Sequence, residues 1–200
     1  MIFLNSVEVV ISVNDKNFLL SLARKALEKF LFSGIELEIS DKEIISETLN
    51  RNLATFVTIR NRKTDTLRGC VGHLEPVLPL YKDVIANAIS AATADNRFDP
   101  VSYTELPDLR IEISVLSPFT YQGDFSDKKT LETVHYGTGV FITDNQGHGA
   151  TYLPDVWEEL PGKSDFLDSL CEKAGLPKDF WKTMPLYLYT YSTIKFEDQV

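Results

Sequence analysis

The chain has 200 residues, long enough to bury a core without disulfides. Its 20 Lys and Arg against 29 Asp and Glu leave a net charge of -9, which repels a phosphate backbone unless basic residues gather on one face. The densest basic run, Arg60-Asn61-Arg62-Lys63, reads as a solvated turn, so nucleic-acid binding is disfavoured. The two cysteines, Cys70 and Cys171, lie in unlike contexts and make no disulfide framework. Met1-Ile2-Phe3-Leu4-Asn5 has some apolar residues but no basic n-region, and Glu8 interrupts it before a secretory apolar stretch is complete. No apolar run is long enough to span a bilayer, so the reading is a soluble protein of the reducing cytoplasm.

Residues 15–32 carry Leu19, Leu22, Ala23, Ala26, Leu27, Phe30 and Leu31 at spacings of three and four, which predicts an amphipathic helix. Asn14 or Asp15 suits its start and Gly34 its end. Residues 41–50 repeat that spacing more weakly. The composition then turns to strand over 54–59, with 67–74 as the hairpin partner across 61–66. Pro79 suits a first helical turn, and Leu80, Val84, Ile85, Ala88, Ile89 and Ala92 form one apolar stripe behind it. Asp95-Asn96-Arg97-Phe98-Asp99-Pro100 ends that helix and reads as a capping and loop-fixing knot.

Residues 110–116 alternate as a strand closed by Ser117-Pro118. A second β region pairs 139–143 with 150–153 around the turn 144–149, and helices are expected over 154–160 and 164–174. Residues 186–196 read as one last strand with Tyr187, Tyr189 and Tyr191 on one side. Strands and helices come in blocks, so the predicted class is α+β with a largely antiparallel sheet. No repeat or linker interrupts the chain.

Two glycines inside the strand Arg68-Gly69-Cys70-Val71-Gly72 need a reason, because glycine packs nothing and loses the most backbone entropy on folding. A bulge is one reason; close approach of a ligand or another chain to the backbone is another. Arg68 and Cys70 share a face in a regular strand, so the guanidinium could stabilise a thiolate, whereas His73 falls on the opposite face. A bulge at Gly69 or Gly72 would be needed to bring His73 to Cys70, with Glu75 then a second neighbour. The competing readings are a buried, inert cysteine and an internal ion pair of Arg68 with Asp95, Asp99 or Glu112.

Elsewhere the signals are weaker. His73, His135 and His148 are far apart and lack zinc-motif spacing, so no metal site is predicted. Gly137-Thr138-Gly139 and Gln146-Gly147-His148-Gly149 lack the lysine and helix of a phosphate loop. Trp157, Trp181 and the C-terminal tyrosines read as packing residues. No residue pattern specifies a cofactor.

With Leu67-Arg68-Gly69-Cys70-Val71-Gly72 in place, the chain resembles the AMMECR family, in particular its AmmeMemoRadiSam system protein A branch. The likeness runs on through Glu75-Pro76-Val77, Asp95-Asn96-Arg97-Phe98, Glu105-Leu106-Pro107-Asp108-Leu109 and 111–117, then Ala150-Thr151-Tyr152-Leu153-Pro154-Asp155-Val156-Trp157 and Leu170-Cys171-Glu172-Lys173-Ala174-Gly175-Leu176. It covers most of the chain from about Leu19 onward, as one AMMECR-like domain over 1–200 with a large and a small lobe. The resemblance implies a two-lobed α+β fold whose glycine-cysteine segment faces a cleft, and association with a Memo-like protein and a radical SAM protein. His73 departs from the small hydroxylated residue of many relatives, and the chain lacks the cysteine cluster of an iron-sulfur protein.

Three functions follow as expectations. The first is an accessory or ligand-binding subunit that holds a small anionic ligand or a partner segment at Arg68, Gly69 and Gly72. The second is an enzyme with Cys70 as nucleophile, Arg68 as activator, and His73 or Glu75 for proton transfer. RNA binding or modification is the third, set back by the acidic charge.

Overall fold

A computed structural model describes residues 9–198; the reading of Met1-Asn5 lies outside them. The chain falls into two compact units, one built from the chain up to Ser117 and again from Ile194, the other from Pro118–Thr193. Each carries a four-stranded antiparallel sheet with packed helices, the α+β class read from the sequence. No helix among the described residues is long and apolar enough to cross a membrane.

In the first unit, α1 spans Val13–Ser33. Its N-cap is Ser12, two residues before Asn14, and the Ser12 hydroxyl accepts the Asp15 N–H; Gly34 ends it at φ 71, a conformation that favours glycine. Leu19, Leu22, Ala23, Ala26 and Leu27 are all buried on one face, and each such leucine contributes about 2 kcal/mol by leaving water. The weakly periodic stretch after it is a 3-10 turn at Asp41–Glu43 and a short α2 at Glu47–Asn50. Strands β1 (Thr55–Asn61) and β2 (Leu67–Gly72) form the expected hairpin. Next come α3 (Leu80–Thr93) and β3 (Leu109–Leu116), the latter antiparallel to β1.

In the second unit the chain forms β4 (Thr120–Asp124), α4 (Lys128–Glu132), β5 (Gly139–Thr143), β6 (Gly149–Tyr152), α5 (Val156–Glu159), α6 (Lys163–Lys173), α7 (Phe180–Thr183) and β7 (Tyr187–Tyr191). β4, α4 and α7 have no counterpart among the elements expected from the sequence: β5 and β6 are as short but face each other across a glycine-rich turn that marks them. The single terminal strand expected over 186–196 is in fact two: β7 lies between β4 and β5, while β8 (Thr193–Glu197) borders β3 in the other sheet. Exposed Ser192 separates them.

The two cores are separate. In the first unit Val57, Ile59, Ile111 and Ile113 line the sheet face that meets α1 and α3. The second gathers Val140, Ile142, Leu188, Phe166, Leu170 and Trp157, whose ring stacks on Phe166 at 3.8 Å between centroids.

Candidate functional site

The Arg68–Gly72 segment is the outer edge strand of the first sheet. Its register, Ile59 opposite Gly69 and Arg60 opposite Leu67, makes Arg68 the extra residue of a bulge. The bulge therefore sits at Arg68, and neither glycine is the cause of it. A Cβ on Gly69 would lie 1.9 Å from the Ala91 carbonyl oxygen of α3. One on Gly72 would lie 2.4 Å from the Phe56 ring and from the Thr55 carbonyl oxygen. What approaches Gly69 is the protein's own helix, and what covers Gly72 is a cross-strand aromatic ring.

Arg68 places its guanidinium against the loop after α3. Nη1 donates to the Asp99 carbonyl, and Nη2 donates to Pro100 O at 3.2 Å and to both oxygens of Glu105 at 3.1 Å. This is the internal-pair alternative, with Glu105 as the carboxylate in place of Asp95, Asp99 or Glu112. The fork of donors is spent on the fold.

Cys70 points to the opposite face from Gly69 and is partly exposed. Thr58, its direct partner on β1, donates to Sγ at 3.3 Å. The Cys70 amide donates to Asp95 Oδ2 at 2.8 Å. Arg97 reaches Asp95 through Nε at 2.9 Å and Nη2 at 2.7 Å, and Nη2 also lies 3.5 Å from the Cys70 carbonyl oxygen. A carboxylate and a guanidinium thus close the exposed strand edge at the cysteine. Burial pushes the Cys70 thiol up, opposed by the Thr58 hydrogen bond and by Arg97. The Arg97 hydrogen bonds, with help from the Cys70 and Arg97 amides, hold Asp95 well below the usual carboxylate range. The guanidinium acting on Cys70 is therefore that of Arg97, not Arg68.

On the same sheet face, Thr58 lies opposite Cys70 on one side and Glu112 on the other. Lys195 Nζ meets Glu112 Oε2 at 2.9 Å. A polar row, Cys70, Thr58, Glu112 and Lys195, crosses the sheet, with Thr58 and Glu112 under 10 % exposed. Period-two alternation within β1 and β3 carries part of this signal, but the pairing of β3 with the chain terminus does not appear in local sequence.

His73 lies on the other side. It follows β2, its amide donates to Thr55 O at 3.0 Å, and its Nδ1 meets Asp83 Oδ1 at 2.6 Å on α3. No bulge between Cys70 and His73 resets the alternation, so the two do not meet. Glu75 is exposed in the following turn, and neither it nor Arg68 is among the charged groups that act on Cys70. The expected set of Cys70, Arg68, His73 and Glu75 therefore does not converge as one nucleophile, activator and base.

Three further residues surround His73 that the sequence reading passed over: Thr55, Asp83 and Asn87, all buried. The legible signal is Asp83 and Asn87, four apart beside the apolar stripe of α3 and so on one face of it. Among the described residues, no group of three or more His, Cys, Asp or Glu converges to hold a metal ion.

The AMMECR1 family model matches residues 20–196. Protein MK0488 of Methanopyrus kandleri is 33% identical over 195 residues, covering 94% of this chain and 91% of the relative. Protein PF1979 of Pyrococcus furiosus is 34% identical, covering 91% and 87% respectively. The crystal structure of the uncharacterized protein PH0010 from Pyrococcus horikoshii superposes with a TM-score of 0.85 at 31% identity, over 94% of each chain.

Proposed function

The chain belongs to the AMMECR1 family, and from that premise we propose that it is an accessory, ligand-binding subunit of the cytoplasm that works with a Memo-like or a radical SAM partner through the Arg68–Gly72 segment. The observation that carries this reading is the closed edge at Cys70. The thiol is pushed up by burial and its hydrogen-bond partner is the Thr58 hydroxyl rather than a histidine, while Asp95 binds the Cys70 amide and Arg97 reaches its carbonyl. A protonated thiol is a poor nucleophile, whereas a pre-organised edge with a half-exposed guanidinium suits recognition. Arg97 is 55% exposed and offers the donor for an anionic group; Arg68 supports the loop that carries it.

Co-elution with purified Memo-like and radical SAM proteins tests the reading. Arg97→Ala is expected to weaken the complex about tenfold or more when binding is read well below its melting transition, which itself falls because Asp95 loses its guanidinium partner. Arg68→Met is expected to lower the melting temperature, because it strands Glu105 and two carbonyls. Failure of the wild type to bind either partner, or unchanged binding by Arg97→Ala, would refute it.

A further inference from the structure

Asp83 is 1% exposed, yet four donors converge on its carboxylate. Oδ2 accepts the Thr55 amide at 2.9 Å, the Thr55 hydroxyl at 2.6 Å and Asn87 Nδ2 at 2.9 Å. Oδ1 meets His73 Nδ1 at 2.6 Å. Asn87 Nδ2 also lies 3.1 Å from both the carbonyl and the hydroxyl oxygen of Thr55. Turning the amide over would aim its oxygen at Asp83 Oδ2 and the Thr55 carbonyl, two acceptors, so the orientation is fixed by chemistry.

One consequence is that Asn87 Oδ1 is the only buried side-chain oxygen without a donor among the described residues. A buried polar group left in that state calls for a reason, and catalytic sites are one recognised place for it. The second consequence concerns the ring. A carboxylate that collects donors leaves the proton on Nδ1, so the neutral imidazole presents a bare Nε2. The His73 side chain is 45% exposed while Nδ1 is turned inward, so the accessible edge is the one that carries Nε2.

Pinning Thr55 needs only Oδ2. Oδ1 of this buried carboxylate takes its donor from a half-exposed ring rather than from another core group, which fixes the orientation of that ring. From this geometry we infer that His73 is a proton-transfer site, with Asp83 as its positioning residue and a ligand bearing an oxygen-bound proton, a hydroxyl group or water, as its partner. Nε2 accepts the oxygen-bound proton and leaves the ligand oxygen as the conjugate base. Nδ1–H stays on Asp83 Oδ1 throughout, and Nε2 returns the proton to the same oxygen, so that no bond other than O–H and N–H is made or broken. The inference is independent of the partner-binding reading, since it uses the other face of β2.

The experiment is carbethoxylation of the full chain by diethyl pyrocarbonate at pH 8, with the rate at each histidine read by mass spectrometry. His135, exposed in a turn, is the internal reference. His73 is expected to react about tenfold faster than His135, the rate equivalent of about 1.4 kcal/mol. Asp83→Asn should remove that excess and leave the His148 rate unchanged. His73→Gln should melt within about 2 °C of the wild type, since the ring itself is not required by the core. A wild-type His73 no faster than His135 overturns the inference without any variant. So does a large melting loss in His73→Gln, or retention of the excess in folded Asp83→Asn.

Discussion

Among the described residues two histidine-aspartate pairs of nearly equal length stand out, one in each unit. His73 Nδ1 meets Asp83 at 2.6 Å, and His148 Nδ1 meets Asp144 at 2.7 Å. The two rings are similarly accessible, 45% and 51% exposed, so the difference lies behind them. Asp144 belongs to the β5–β6 turn, where its Oδ1 accepts the Gln146 and His148 amides and its whole neighbourhood is local. Asp83 joins α3, the start of β1 and the residue after β2. An identical contact is a turn device in one place and a tertiary junction in the other. Distance alone does not separate them; what the carboxylate is built into does.

The largest expected break in the comparison comes from removing the two carboxylates. Asp83→Ala strands the Thr55 amide and Asn87 in the core and is expected to cost on the order of 3–5 kcal/mol in urea unfolding. Asp144→Ala should shift the same transition far less, because the groups it leaves are amides of its own turn, whose following residues 145–149 are exposed to water. Equal shifts would show that the buried junction contributes nothing special.

Glycines sharpen the contrast next. Gly69→Ala drives a methyl into the Ala91 carbonyl, where the helix backbone has no room to yield, and about 2–3 kcal/mol should be lost. Gly147, in the His148 turn, faces open space at φ 112, so alanine there meets strain but no clash. About 1 kcal/mol is expected, and thermal melts of both variants check the order.

The smallest effect concerns acid. Asp95 and Asp144 both titrate below their ordinary value, Asp95 chiefly through Arg97 and Asp144 chiefly through the Gln146 amide. A carboxyl depressed in the folded state contributes stability that is present above the unfolded value, about pH 4, and is lost as pH falls through the folded one. Asp95→Asn should therefore flatten the decline of the urea midpoint between about pH 5 and pH 2. Asp144→Asn should flatten it less, since the charge partner there is a hairpin neighbour rather than a paired guanidinium. The reverse order would place the acid-sensitive group in the second unit.

Periodicity located α1 and α3 because each long helix must bury one stripe, and it located β1, β2 and β3 because their core faces alternate. It passed over β4, α4 and α7, which no glycine-rich turn marks as one marks β5 and β6. The candidate site divides the same way. Arg68, Cys70 and His73 stood out locally, but their partners Glu105, Asp95, Arg97 and Asp83 lie 10 to 37 positions away.

By itself, the sequence determined the α+β class, the hairpin that holds the glycine-cysteine strand, the opposite facing of Cys70 and His73, and the family. These depend on local alternation, turn chemistry and ordered motifs, all properties of neighbouring residues. Tertiary structure alone decided that Arg68 is the bulge and a loop clamp, and that Gly69 is kept small by a helix carbonyl. It also decided that residues 186–196 serve two sheets and that a buried aspartate stands behind His73. Each of these depends on which distant group comes within a few ångströms, and burial, not spacing along the chain, sets that choice.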